Sequence, residues 1–434
     1  MITGVIICFV LGYVLIVLEH PLKLDKTVPA LLMAAICWAL VSFGNLEVFE
    51  FHNDQLVTGE MDSILLHHLG KTAEILIFLI GAMTIVEIID LHMGFDILKE
   101  WVHTKSKKKL LWVICILAFI LSAIIDNLTA TIVLITLLRK LVPDREERLW
   151  YAGMIVIAAN AGGAWSPIGD VTTTMLWIGD KVTTVGLIKH LVIPSIVCMV
   201  IPTFIASKMK AFQGELKLDD DLLNSKKKLL SSKIMLFLGL GAIVFVPIFK
   251  TLTHLPPYMG MMLGLGVVWL VSEYIHPEED FSEERRHLYS GRKALSRIEL
   301  SSILFFLGIL MAVAALESLG TLVYLATNLD NAVPNQDIVI MLLGVGSAII
   351  DNVPLVAASM GMYTAPIDSK LWQFIAYAAG TGGSMLIIGS AAGVAAMGME
   401  RIDFIWYFKK MSWLAAIGFI AGAVAFLAIY PIIN

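Results

Sequence analysis

The chain has 434 residues, of which 58% are hydrophobic and 15% charged, against roughly 25% charged in an ordinary soluble domain. So much apolar side chain cannot hide beneath a soluble surface, which excludes a soluble enzyme, a nucleic-acid-binding protein and a disordered chain. The net charge of −5 singles out no partner. Cys8, Cys37, Cys115 and Cys198 all fall in apolar runs and read as small buried hydrophobes, not as a disulfide framework.

Apolar runs lie near 2–18, 27–43, 72–90, 110–138, 151–178, 187–206, 234–249, 257–275, 299–316, 338–366, 371–398 and 411–431. A bilayer span needs about 20 apolar residues. The first run has no basic n-region and no small-residue cleavage site, so it reads as a permanent span. Residues 44–70 form an acidic outer loop with His52, His67 and His68, and 276–297 a charged inner loop. All ten histidines fall in loops or at helix ends. The basic runs Lys105 to Lys109 and Lys226 to Lys228 set topology and meet anionic lipid.

The N-terminus is placed outside, and the runs 110–138 and 338–366 are taken as hairpins that return to their own side. Then 26 of the 31 basic residues fall on inner segments, leaving Lys71, Lys181, Lys189, Lys250 and Lys370 outside. With Asp126 and Asn127 near its middle, the run 110–138 has arms of about 12–15 residues. At 1.5 Å per residue these reach roughly 18–22 Å, short of a core about 30 Å thick.

Self-similarity sharpens the picture. Ser122-Ala-Ile-Ile-Asp-Asn127 recurs as Ser347-Ala-Ile-Ile-Asp-Asn352, and Ala158-Ala-Asn-Ala-Gly-Gly163 returns as Ala378-Ala-Gly-Thr-Gly-Gly383. Glu74 precedes Asp126 by 52 residues, as Glu299 precedes Asp351. Five crossings per half invert the second half relative to the first, so one hairpin enters from each side. The expected fold is an all-α polytopic membrane protein with about ten crossing helices plus two re-entrant hairpins. The first inverted repeat covers 1–206, with hairpin 110–141 and broken helix 151–178. A cytoplasmic linker follows over 207–233. The second repeat covers 234–434, with hairpin 338–366 and broken helix 371–398. Inverted repeats with helices broken at the midplane mark secondary transporters, not enzymes.

Asp126, Asp170 and Asp351 are the deepest charges, and no Lys or Arg lies inside their spans. A carboxylate so placed must hold a proton or face a cation, the minimum equipment for exchanging one for the other. Sodium prefers oxygen ligands. Asn127, Asn160, Asn352, Thr172, Thr173, Thr381 and Ser384 offer them beside these acids, with backbone carbonyls freed at the glycine pairs. Glu74 and Glu299 sit near opposite ends of paired helices and serve as mouth acids or proton relays. Glu87, Asp90 and Glu317 read as solvated.

The stretches SAIIDNLTAT at 122–131, NAGGAWSPIGDVTTT at 160–174 and SAIIDNVPLVA at 347–357 resemble those of NhaD-type sodium/proton antiporters of the ion transporter superfamily. The resemblance implies exchange of Na⁺ or Li⁺ for H⁺ in a bacterial plasma (inner) membrane, without a cofactor and with no nucleic-acid partner. It also implies a homodimer in lipid, with a scaffold domain and a mobile domain carrying both hairpins. It implicates Asp126, Asn127, Asn160, Asp170, Thr172, Thr173, Ser347, Asp351 and Asn352 in transport. The chain departs from internal symmetry at Ser390, which stands where Asp170 stands in the first half. The nearest rival is a sodium-coupled dicarboxylate symporter, whose tips carry Ser-Asn-Thr; here the tip aspartates would repel an anion. An intramembrane aspartyl protease is disfavoured because its GxGD signature is lacking.

Overall fold

A computed structural model describes residues 1–52, 55–101, 104–216, 229–278 and 283–433. The middle of the expected linker, 217–228, with the run Lys226 to Lys228, lies outside them. Two apolar helices open the chain, α1 (Ile2–Val17) and α2 (Thr27–Phe43). An antiparallel hairpin of β1 (Val48–His52) and β2 (Gln55–Gly59) follows, with Val48 opposite Gly59. Next comes α3 (Met61–Leu91).

The loop expected over 44–70 is therefore corrected. Its Val, Phe and Leu residues suit a short pleated pair, and α3 begins well before its apolar run. At 31 residues α3 is about 46 Å long, so its first turns can carry polar residues. His67 and His68 stand two turns inside it, not in a loop. His190 is likewise helical and buried, its Nδ1 2.8 Å from Gly186 O.

The first hairpin consists of α4 (Lys107–Ile125) and α5 (Asn127–Leu141), hinged on Asp126. Its first arm is longer than expected: α4 has 19 residues, about 28 Å, and by length and composition alone it would cross. It nevertheless turns back. Lys107 at its foot pairs with Glu147 at the start of the next helix, α6 (Arg145–Gly163). Arg139 on the returning arm and Arg148 of α6 both hold Glu400, at 2.8 and 3.1 Å. Both feet thus lie at one end of α6. The added length is the basic first turn, capped by the Ser106 hydroxyl, which accepts from Lys109 N.

α6 and α7 (Val171–Ile178) are the halves of the first broken helix, and α8 (Thr184–Ala206) completes this half of the chain. The second half runs through α9 (Ser232–Thr253), α10 (Pro257–Tyr274), α11 (Leu300–Ser318) and the short α12 (Thr321–Ala332). Its hairpin is α13 (Gln336–Gly346) and α14 (Asn352–Met362), 11 residues each. Its feet are tied by Lys370 to Asp337 at 2.7 Å and by Trp372 Nε1 donating to Ala365 O at 3.0 Å. α15 (Lys370–Gly382) and α16 (Ala391–Glu400) form the second broken helix, and α17 (Ser412–Ile433) ends the fold.

Packing divides these elements into a panel and a body. In the panel, α11 and α1 lie on α2, α10 on α3, and α9 on α10. In the body, α6 lies on both arms of the first hairpin, α15 on α13, and α17 on α8. Each broken helix meets its hairpin at a glycine. A Cβ on Gly162 would lie 2.2 Å from Phe119 O of α4, and one on Gly382 2.1 Å from Gly344 O of α13. Both contacts need bare backbone, so the repeat is carried in packing as well as in sequence. Leu11, Leu32, Phe237, Leu263 and Val424 stand exposed on the outer helices, as lipid-facing side chains do. Six helices among the described residues are long and apolar enough to cross a membrane.

Candidate ion site

Four helices begin where the hairpins and broken helices converge: α5 after Asp126, α7 after Asp170, α14 after Asp351 and α16 after Ser390. A helix N-terminus carries positive partial charge and favours carboxylates. The breaks thereby allow three acids to stand at depth.

Asp170 is the hub and is 3% exposed. Asn127 donates its Nδ2 to Asp170 Oδ1 at 3.1 Å, and Asn352 donates its Nδ2 to Oδ2 at 3.0 Å. Thr172 Oγ1 donates to Oδ2 at 2.6 Å. One asparagine from each hairpin thus meets a separate oxygen of a single carboxylate. The Asn127 amide also donates to Asn160 Oδ1 at 3.0 Å, and Asn160 Nδ2 donates to Ser390 Oγ at 2.9 Å. This run of bonds joins both hairpins to both broken helices. All its members are buried, where a hydrogen bond to a charged group is worth about 1.5–3 kcal/mol.

The two tip aspartates do not join this cluster. Asp126 caps α5, its Oδ1 accepting from Thr129 N at 2.7 Å and its Oδ2 from Thr129 Oγ1 at 2.9 Å. Asp351 caps α14 through Val353 N at 3.2 Å. Its Oδ2 accepts from Lys26 Nζ at 3.0 Å. The expectation that none of the three acids has a basic partner is therefore corrected. Lys26 belongs to the start of α2 and reaches the tip from a different part of the chain. Among the described residues, no three His, Cys, Asp or Glu side chains stand at metal-binding spacing, so the three acids do not form one shared cage.

The remaining candidates divide clearly. Thr173 Oγ1 donates to the backbone oxygens of Asp170 and Gly163 at 2.9 and 3.4 Å. Ser347, Thr381 and Ser384 each donate to a carbonyl of the preceding turn, those of Gly344, Tyr377 and Thr381. Each is buried with its hydroxyl proton committed to its own helix. Glu74 lines a cavity of about 780 Å³ with His68, Lys71, Lys181 and Glu317. Burial pulls the Lys181 ammonium below its ordinary pKa, against the attraction of Glu317. Glu299 lines a second cavity of about 400 Å³ that reaches Leu128 and Thr129, beside Asp126. Asp90 is exposed, as expected, while Glu87 is only partly so; both pair with Arg297, at 2.7 and 3.0 Å, on the wall of that second cavity.

Sequence reasoning missed Thr129 and Lys26. Thr129 could have been found as the third residue after the cap, where a hydroxyl returns to the capping side chain. Lys26 carries one signal, a cation at the N-terminus of an apolar helix, where the dipole opposes it.

Inverted halves, hairpins from opposite sides and broken helices meeting at buried acids define a secondary transporter. A family model described as Citrate transporter matches residues 13–373. Sodium/proton antiporter 1 of Arabidopsis thaliana is 48% identical over 97% of this chain and 71% of its own length. The Na⁺/H⁺ antiporter NhaD of Alkalimonas amylolytica is 32% identical over 98% of this chain and 89% of its own. The solved YdaH transporter of Alcanivorax borkumensis shares the fold, with a TM-score of 0.56 at 14% identity, covering 94% of this chain and 98% of its own. The chain belongs to this transporter family, among the NhaD-type sodium/proton antiporters.

Proposed function

We propose that the chain exchanges Na⁺, with Li⁺ as a second cargo, for H⁺ by alternating access. The carrying observation is the convergence of Asn127 and Asn352 on Asp170. Neutral amides from both hairpins orient this carboxylate without supplying a counter-charge, so a cation or a proton can answer it. In this reading Asp126, Asp170 and Asp351 take protons on the outer side and release Na⁺. On the inner side they give the protons up and reload. Asn127, Asn160, Asn352, Thr172, Thr173 and freed carbonyls supply further oxygens. Ser347, Thr381 and Ser384 support the second half of the site, and Glu74 and Glu299 gather cations at the two mouths.

The bias of basic residues supports placing both termini on the outer side, and the likeness to bacterial NhaD antiporters supports a bacterial inner membrane. The exposed apolar faces support lipid contact; the family resemblance supports a homodimer, with the panel as scaffold and the body as the moving part. No cofactor enters this mechanism. The description of the matching family favours a second reading, symport of citrate or a dicarboxylate. Three acids at the helix breaks oppose an anionic cargo, since like charges at close range repel.

Everted membrane vesicles with a pH-sensitive dye test the proposal. Added Na⁺ should dissipate a respiration-driven proton gradient at alkaline pH, and Asp126→Asn should abolish the response. A gradient indifferent to Na⁺, or Na⁺-dependent uptake of labelled citrate in its place, would sink it.

A further inference from the structure

One ion pair crosses from panel to body at the level of the hairpin tips. Lys26 Nζ lies 3.0 Å from Asp351 Oδ2, with side-chain exposures of 22% and 14%. The same ammonium sits 4.4 Å from the ring centroid of Phe305 on α11. Lys26 is therefore seated on the panel by its own backbone and by an aromatic face. Asp351 begins α14, the returning arm of the second hairpin, which packs against α7 and α15 of the body and also lies along α11 of the panel. Among the described residues the opposite tip shows no such tie: Asp126 is answered by the start of its own helix, through Thr129.

We propose that Lys26 is a tethered stand-in for the transported cation, which latches the second hairpin to the panel whenever Asp351 is ionised and unloaded. The inference rests on the exchange reading above. A buried carboxylate separated from its only counter-charge is strongly unfavourable. The empty carrier therefore keeps the pair closed, and hairpin and panel do not part. Protonation of Asp351, or a cation beside it, removes the need for Lys26 and frees the body to move. Lys26 is thus a positioning residue for coupling: it blocks the return of an empty carrier, the step that would turn an exchanger into a leak.

The test is radiolabelled Na⁺ efflux from proteoliposomes into medium without Na⁺ and at low proton concentration. The wild type should be nearly silent there and active when Na⁺ or H⁺ is supplied outside. Lys26→Met should raise the unaccompanied efflux about tenfold, while Lys26→Arg keeps it low. Should Lys26→Met leave an unpaired charge and fail to fold, Lys26→Gln keeps a neutral hydrogen-bond donor for Asp351 and is read the same way. Lys26→Cys treated with aminoethyl methanethiosulfonate should regain tight coupling, and with the neutral methyl reagent it should not, with labelled wild type as control. Unchanged coupling in Lys26→Met, or rescue by the neutral reagent, overturns the latch. A wild type that exchanges no Na⁺ for H⁺ refutes the exchange reading instead.

Discussion

The two hairpin tips share six consecutive residues and differ in almost every physical respect. At the first tip Asp126 is the whole turn, with φ 77° and ψ 161°, a region that side chains other than glycine's rarely adopt. At the second, Asp351 sits at φ −45° and ψ 135°, in ordinary extended backbone. The first tip is strained and has no basic partner among the described residues. The second is relaxed and held by Lys26. The feet differ in the opposite sense. The first hairpin is anchored by arginines on the buried Glu400, the second by the half-exposed pair of Lys370 and Asp337. Identical local sequence placed in inverted surroundings has acquired two roles, and what surrounds each tip decides which.

The strongest way to break the comparison is to remove what the tips share. Asp170→Asn leaves one acceptor oxygen where Asn127, Asn352 and Thr172 now find two, and sets an amide NH₂ against a neighbouring NH₂. Losing a charge-assisted bond costs roughly 1.5–3 kcal/mol, so exchange in vesicles should fall by about 10- to 100-fold. If Asp170→Asn retains exchange near the wild-type rate, the two hairpins do not act through a common carboxylate.

The feet are compared through stability. Glu400 is 3% exposed and faces Arg139 and Arg148, so Glu400→Gln strands arginine charge against a neutral partner. Breaking a buried pair from one side costs about 3–5 kcal/mol; with Arg139 itself 45% exposed, the lower end is expected. Asp337→Asn opens a pair whose side chains are 30% and 41% exposed, worth under about 1 kcal/mol. Thermal unfolding in detergent should show a clear fall in Tm for the first and almost none for the second. Equal shifts would mean that both hairpins are anchored alike.

Much of this was legible in the chain itself. The repeated SAIIDN hexapeptide announced two tips and the acids on them, because an aspartate before an asparagine is a helix-capping pair, and the odd number of crossings between them announced the inversion. The asymmetry at Ser390 was visible too, and the structure gives that hydroxyl to Asn160. What stayed hidden depends on long-range placement. Lys26 and Asp351 are 325 residues apart, and composition counted Lys26 only as an inner-face cation. The turning back of α4 was legible in the basic residues at both ends of the run, but its length was not: the basic first turn joins the helix and makes it 19 residues long. Nor can hydropathy tell which serines and threonines face an ion, since Ser347, Thr381 and Ser384 satisfy backbone carbonyls with the same hydroxyl.

The smallest expected effect is the most discriminating, because its sign should differ between the tips. Asp126→Gly removes a side chain from a backbone conformation that costs about 1–3 kcal/mol in any residue other than glycine. Against that gain stand the added chain entropy of glycine, roughly 0.5–1 kcal/mol, and a few tenths for the lost cap on Thr129. The balance is a stabilisation of about 1 kcal/mol, seen as a higher Tm in detergent. Asp351→Gly has no strain to relieve, loses its cap and leaves Lys26 without its carboxylate, so its Tm should fall. Under the exchange reading, Asp126→Gly should be sturdier and yet unable to transport, as expected where strain is retained for function. If instead both variants lose stability, the first tip is not strained, and the contrast between the hairpins reduces to the presence of Lys26.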